Sequence, residues 1–182
     1  PTKNLGAMGD GGIIVTSDEK MANKIRLLRQ YGWQERYISS IIGTNSRLDE
    51  IQAAVLRVKL KHLETWNKKR CKLAELYRKY LRHVRIPAEL DDRSHVYHLY
   101  VIATSRQMDL MAYLKDRGIG SAIHYKVPVH LQGAYRKLAL YEKLSVTEDV
   151  CSQIISLPMY PELREGEIRE ISNSINEFFE RI

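Results

Sequence analysis

Residues 1–19 read PTKNLGAMGDGGIIVTSDE. Lys3 is followed by Gly6, Gly9, Gly11 and Gly12, so a lysine stands at the mouth of a loop that can bend closely around a ligand. The glycines give way to Ile13, Ile14, Val15 and Thr16, β-branched residues that predict a short strand over 12–16. Thr16 and Glu19 then have the spacing of a capping box. A lysine at such a place has two readings. It is a solvated charge, or it is desolvated so that its neutral amine attacks a carbonyl and forms a Schiff base. Residue pattern alone leaves both open.

Beyond this stretch helical periodicity takes over. Met21, Ile25 and Leu28 form an apolar stripe, and Gly32 marks its end. Gly43, Thr44, Asn45 and Ser46 make a polar turn, and Ser46 with Asp49, or Asn45 itself, can cap the next helix. Leu48, Ile51, Val55, Leu63, Trp66, Leu73, Tyr77, Leu81 and Val84 recur at helical spacings, with no Pro or Gly from Arg47 to Ile86. That predicts one long helix over 47–86, or two in line. Arg57 to Arg85 holds eleven Lys or Arg against Glu64 and Glu75, a local +9 in a chain of net charge +7. Such a face could hold nucleic acid. No aromatic interleaving or DNA-reading motif accompanies it, so it reads as a solvated basic face without dedicated nucleic-acid binding.

After Pro87 the pattern changes. Tyr97 to Thr104 (YHLYVIAT) predicts a strand, and Ser105 can cap a helix through Leu110, Met111 and Leu114 that Gly118 ends. Ala122 to Val127 is a second strand candidate, and Leu131 to Leu144 can hold a short helix. Pro158 and Pro161 mark a loop, and Ile168, Ile171, Ile175, Phe178 and Ile182 share one face of a last helix. Alternating strands and helices predict a small two-layer α/β unit.

Over 182 residues, 44% apolar and 28% charged composition excludes wholesale disorder. No apolar run approaches the ~20 residues of a membrane span, and no basic-then-apolar leader opens the chain. Cys71 and Cys151 cannot build a disulfide framework or a four-thiolate site, which points to a reducing cytoplasm. His98, His124 and His130 lack the helical spacing of metal ligands, so no metal is expected.

The opening stretch resembles the Schiff-base lysine motif of the DegT/DnrJ/StrS family of sugar aminotransferases. Four further blocks come in the family's order: Gly43 to Ala54 (GTNSRLDEIQAA), Tyr97 to Tyr100 (YHLY), His124 to Gln132 (HYKVPVHLQ) and Ser156 to Pro161 (SLPMYP). The resemblance implies an α/β fold, the C-terminal part of an aspartate-aminotransferase-type pyridoxal-phosphate transferase. Residues 1–46 would be an edge of the large cofactor-binding domain, 47–86 the long basic linking helix, and 87–182 the small α/β domain.

It also implies chemistry. Such enzymes use pyridoxal 5'-phosphate to move an amino group, usually from glutamate, to a nucleotide-linked keto-sugar, in amino-sugar and polysaccharide biosynthesis. Lys3 matches the lysine that binds the cofactor covalently and, once freed, shuttles the proton. The cofactor ring is the electron sink and the protein orients it. Relatives that dehydrate sugars carry His here, so Lys3 favours amino transfer. Asn45 matches the asparagine that reaches the neighbour's cofactor phosphate in a homodimer, as suits a donor at a helix start. Arg47 beside it reads as half of a structural ion pair. His124 and Tyr125 match the sugar pocket, and Arg36 and Tyr37 lie where relatives place substrate contacts.

The matched blocks belong to the family's C-terminal half. The carboxylate at the pyridine nitrogen, the aromatic on the ring and most of the phosphate cup lie, in relatives, in the other half. Residues 1–182 alone are therefore expected to bind pyridoxal phosphate weakly, to lack turnover, and to self-associate through the apolar face of the long helix. A non-catalytic binding or assembly module and a basic nucleic-acid module are the alternatives.

Overall fold

A computed structural model of the chain describes residues 1–136 and 143–181. It divides into two units, Pro1–Glu64 and Thr65–Ile182.

In the first unit, helix α1 spans Glu19–Leu28. Its cap is Asp18, whose carboxylate accepts from the Met21 amide at 3.1 Å, and not the Thr16–Glu19 pair predicted. Thr16 instead accepts from the Asp18 amide at 3.1 Å, one step outside the helix. The chain turns at Gly32, whose amide donates to the Leu27 carbonyl at 2.7 Å. Strands β1 (Trp33–Glu35) and β2 (Ile38–Ser39) form a small antiparallel hairpin that the sequence pattern does not announce. Helix α2 spans Glu50–Leu60.

Two expectations fail in this unit. Segment 12–16 is not a strand: a strand exists only through its ladder, and among the described residues no segment pairs with it. Ile13, Ile14 and Val15 are 87%, 68% and 82% exposed. Neither Ser46 nor Asn45 caps α2. Asp49 holds the cap position with no side-chain bond, and the Asn45 carbonyl oxygen is engaged elsewhere. No apolar side chain of residues 1–64 is buried.

Of the one long helix or two predicted over 47–86, the structure has two, and they stop at Tyr80. The Lys61 and His62 amides donate to the Val58 and Lys59 carbonyls, tightening and ending α2, and α3 spans Leu63–Tyr80. Residues 81–86 leave helix altogether, because Arg85 exchanges both backbone bonds with Ala103 at 3.0 and 2.8 Å.

The second unit is organised on an antiparallel pair, β3 (Tyr100–Ala103) and β4 (Ile154–Leu157), in register Tyr100 to Leu157 and Ala103 to Ile154. Arg85 bridges to β3 and Ala122 to β4, so the hydrogen bonding extends outward on both sides. Of the predicted strand at 122–127 only Ala122 makes that bridge. Helices α4 (Gln107–Asp116) and α7 (Glu165–Glu180) join α3 around the pair. Tyr77, Tyr100, Ile102, Leu110, Leu114, Ile155, Ile168 and Ile175 form the centre of one core. In α4 it is Thr104, not Ser105, that receives an amide, from Arg106 at 3.1 Å. The short helix expected within 131–144 is α5, Gly133–Arg136, and a 3-10 turn, Val129–Leu131, precedes it. Of that span, 137–142 lies outside the described residues, as does Ile182. A further short helix, α6 (Ser145–Cys151), precedes β4.

Two polar fixtures tie this unit. Arg70, 6% exposed, donates to the carbonyls of Tyr97, His98 and Met159 at 3.0, 3.3 and 2.7 Å. Burial pulls its pKa below the ordinary arginine value, and Glu162 partly offsets this. Tyr97 donates its hydroxyl to Glu89, and Arg78 adds a bond to the same carboxylate at 3.1 Å. Those two bonds hold the Glu89 carboxyl below the usual carboxylate range. Burial pushes the neighbouring Tyr100 phenol up to about 12.

The contrast in burial sets the first prediction. Ile155→Ala, in the core, costs about 2–5 kcal/mol in denaturant unfolding, whereas Ile14→Ala stays within about 0.5 kcal/mol. The second concerns acid. A depressed carboxyl stabilises the fold above the ordinary glutamate pKa, and that contribution is lost as pH falls through the lowered value. The Glu89→Gln chain therefore loses less stability than the unaltered chain between neutral and acid pH, as thermal melts across a pH series would show.

Candidate functional site

Lys3 stands on an exposed stretch at the start of the glycine loop. The loop returns along α2: the Met8 amide donates to Gln52 Oε1 at 2.8 Å, and Lys59 Nζ donates to the Gly6 carbonyl. Asn45 lies on a backbone crossing. Tyr31 and Thr44 pair through Tyr31 N to Thr44 O at 2.9 Å, Thr44 N reaches Leu28 O at 2.8 Å, and Gln30 bridges to Asn45 itself. The chains cross so closely that a Cβ on Gly43 would sit 2.2 Å from the Gly32 amide nitrogen, so glycine is required there.

Asn45 is oriented by Arg47, whose Nε donates to Asn45 Oδ1 at 2.9 Å. With its oxygen engaged, the carboxamide presents its NH₂ end as a donor. Arg47 therefore meets an amide and, at 5.9 Å, the Tyr31 ring. The carboxylate partner predicted for it is not found among the described residues. A primary amine has the chemistry to meet a carbonyl, and, separately, an amide donor beside a guanidinium has the chemistry to meet a phosphate.

The β1–β2 hairpin assembles aromatic rings. Tyr31 and Trp33 lie 4.8 Å apart at 33°, and Trp33 meets Tyr37 edge-on at 5.2 Å. Arg36 lies 4.9 Å over the Tyr37 ring. Together with Arg47 these residues line a cavity of about 630 Å³. Glu35 lines it as well, so the three rings stand beside two guanidinium groups and one carboxylate. Arg36 and Tyr37 are legible as candidates in the sequence, whereas the presence of Tyr31, Trp33 and Arg47 beside them is not. The one signal is the run of aromatics in YGWQERY.

His124 and Tyr125 belong to the second unit. His124 Nδ1 lies 2.8 Å from the Ser156 hydroxyl, and its ring meets the Tyr125 ring edge-on at 5.5 Å. Ser156 is 5% exposed in β4, and its backbone makes both bonds of the bridge to Ala122, two residues before the histidine. A rigid strand thus holds the imidazole, while Tyr125 is 70% exposed. The blocks HYKVPVHLQ and SLPMYP, distant in sequence, meet through this bond. The third histidine, His130, pairs with Glu148 at 3.1 Å, which holds that carboxyl below its usual range. Among the described residues no cluster could hold a metal ion, and no helix is long and apolar enough to cross a membrane.

The mixed α/β fold is that of the C-terminal part of pyridoxal-phosphate aminotransferases. Residues 1–176 match the model of the DegT/DnrJ/EryC1/StrS aminotransferase family, and the chain belongs to that family. It is similar to the dTDP-3-amino-3,4,6-trideoxy-alpha-D-glucose transaminase of Streptomyces venezuelae, with 41% identity over 100% of this chain and 49% of that protein. The structure of S. venezuelae DesV in complex with a ketimine intermediate superposes with a TM-score of 0.94 at 40% identity, over 100% of this chain and 50% of that one. A protein of Geobacillus stearothermophilus named a pleiotropic regulatory protein is 42% identical over 98% of this chain and 50% of its own length. The chain spans about half the length of the curated relatives it matches. The family is pyridoxal-phosphate-dependent.

The grip of β4 on the histidine generates a prediction. Ser156→Ala removes the partner of His124 Nδ1 and costs about 1 kcal/mol. In nitrogen-15 spectra the His124 ring resonances move toward those of a free imidazole, while those of His130 do not.

Proposed function

We propose that these residues are the catalytic-lysine half of an aminotransferase. It moves an amino group, taken from glutamate, to the keto group of a nucleotide-linked sugar in amino-sugar or polysaccharide biosynthesis. What supports this reading is the family match of residues 1–176 together with Lys3, in a stretch that resembles the family's lysine motif and on a loop fastened to α2.

Lys3 would hold the cofactor through its amine, condensing with the aldehyde with loss of water, and its Nζ, once released, would carry a proton. The cofactor, when bound, supplies the electron sink. Asn45, aimed by Arg47, donates its amide to the phosphate, across a homodimer, to the cofactor of the other copy. Arg36 and Tyr37, with the Tyr31–Trp33 pair, are the first unit's candidates for contact with substrate, and His124 and Tyr125 are the second unit's. The two free cysteines suit a cytoplasmic setting. Residues 1–182 alone hold pyridoxal phosphate weakly, because the contacts that grip the ring in relatives come from the other half.

The name of the Geobacillus relative favours a second reading, a regulatory module without amino transfer. One assay separates the two. In a polypeptide carrying both halves, with glutamate and a nucleotide keto-sugar, Lys3→Ala lowers amino transfer at least about a thousandfold if Lys3 forms the covalent link. Amino transfer that persists in Lys3→Ala, or none in the unaltered protein, removes the enzymatic reading.

A further inference from the structure

We infer that α2 is a splint for the lysine loop, with Gln52 and Lys59 as the positioning residues that hold Lys3 in place. Neither side chain carries chemistry in the proposed amino transfer. The role assigned to the held lysine rests on that proposed function.

Three observations converge. Gln52 Oε1 accepts the Met8 amide at 2.8 Å, a bond that joins residues 44 apart in sequence. Lys59 Nζ donates to the Gly6 carbonyl, joining residues 53 apart. Gln52 and Lys59 are seven residues apart, two turns, so they project from the same face of α2. Just ahead of the helix, the Leu48 side chain lies beside Gly11. The loop therefore runs antiparallel to the helix, touching it first through Gly6, then Met8, then Gly11.

A side chain at Gly9 would strain the backbone and push the Gln52 amide aside. The Gly9 φ is +140°, and a Cβ there would stand 2.7 Å from Gln52 Nε2. The glycine lets the backbone lie flat against the glutamine amide, so the loop's composition and the glutamine form one device. A lysine that must meet a carbonyl carbon in one geometry gains from such fixing, because a misplacement of about 1 Å can cost a hundredfold in rate. Neither contact touches the amine, so the device sets where Lys3 is without altering what it is.

The test uses the 182-residue chain with two readouts. The first is hydrogen exchange at the Met8 amide. Gln52→Ala raises it at least about tenfold, whereas Gln52→Glu, which keeps an acceptor oxygen at the same place, retains most of the protection. The second is the share of label at Lys3, relative to the other lysines, after excess pyridoxal phosphate and borohydride. That share falls in Gln52→Ala and in Lys59→Met and is restored in Gln52→Glu and Lys59→Arg. A Met8 amide that exchanges freely in the unaltered chain, or equally in Gln52→Ala and Gln52→Glu, overturns the splint. Met8 protection that is lost in Gln52→Ala and kept in Gln52→Glu, with Lys3 unlabelled in every variant, upholds the splint and counts instead against the cofactor role of Lys3.

Discussion

The ladder between Tyr100–Ala103 and Ile154–Leu157 is the constraint on which the second unit rests. Its register sends Tyr100, Ile102, Ile155 and Leu157 into one core, where α3, α4 and α7 supply Tyr77, Leu110, Leu114, Ile168 and Ile175. A slip of one residue would turn each of those side chains to the opposite face. The same ladder places Ser156 where its backbone can hold Ala122 and its hydroxyl His124. Core and candidate sugar contact thus depend on one set of backbone bonds.

Segments whose own periodicity specifies them are legible in the sequence. The last helix is readable from Ile168, Ile171, Ile175 and Phe178, and all four are buried. The strand around Tyr100 and the helix ended by Gly118 are equally plain. Strand β4 escapes because Ile154–Leu157 is a short apolar run beside Pro158, and such a run is defined by its partner more than by its pattern. The reverse error occurs at 12–16, where β-branched residues announce a strand but pairing is needed to make one. Helical spacing at Leu81 and Val84 misleads in the same way, since the bonds of Arg85 to Ala103 take precedence over local preference.

At the candidate site, the residues proposed to carry chemistry are visible in the sequence and those that only place others are not. Lys3, Asn45, Arg36, Tyr37, His124 and Tyr125 come from motif and resemblance. Arg47 reads as half of an ion pair because a guanidinium ordinarily seeks a carboxylate. In the structure it turns the Asn45 amide instead. Ser156 and Gln52 escape for a simpler reason. A hydroxyl or an amide gains its meaning from the group it faces, and Ser156 faces one 32 residues away while Gln52 faces one 44 away.

Arg70 gathers carbonyls from residues 27, 28 and 89 positions further along the chain. Its charge is met by backbone dipoles from segments that no local structure brings near one another. Loop closure over such spans is slow and entropically costly, and it precedes any reward from the contact. The guanidinium is therefore a latch that is fully engaged only when the neighbourhoods of Tyr97 and Met159 have both arrived.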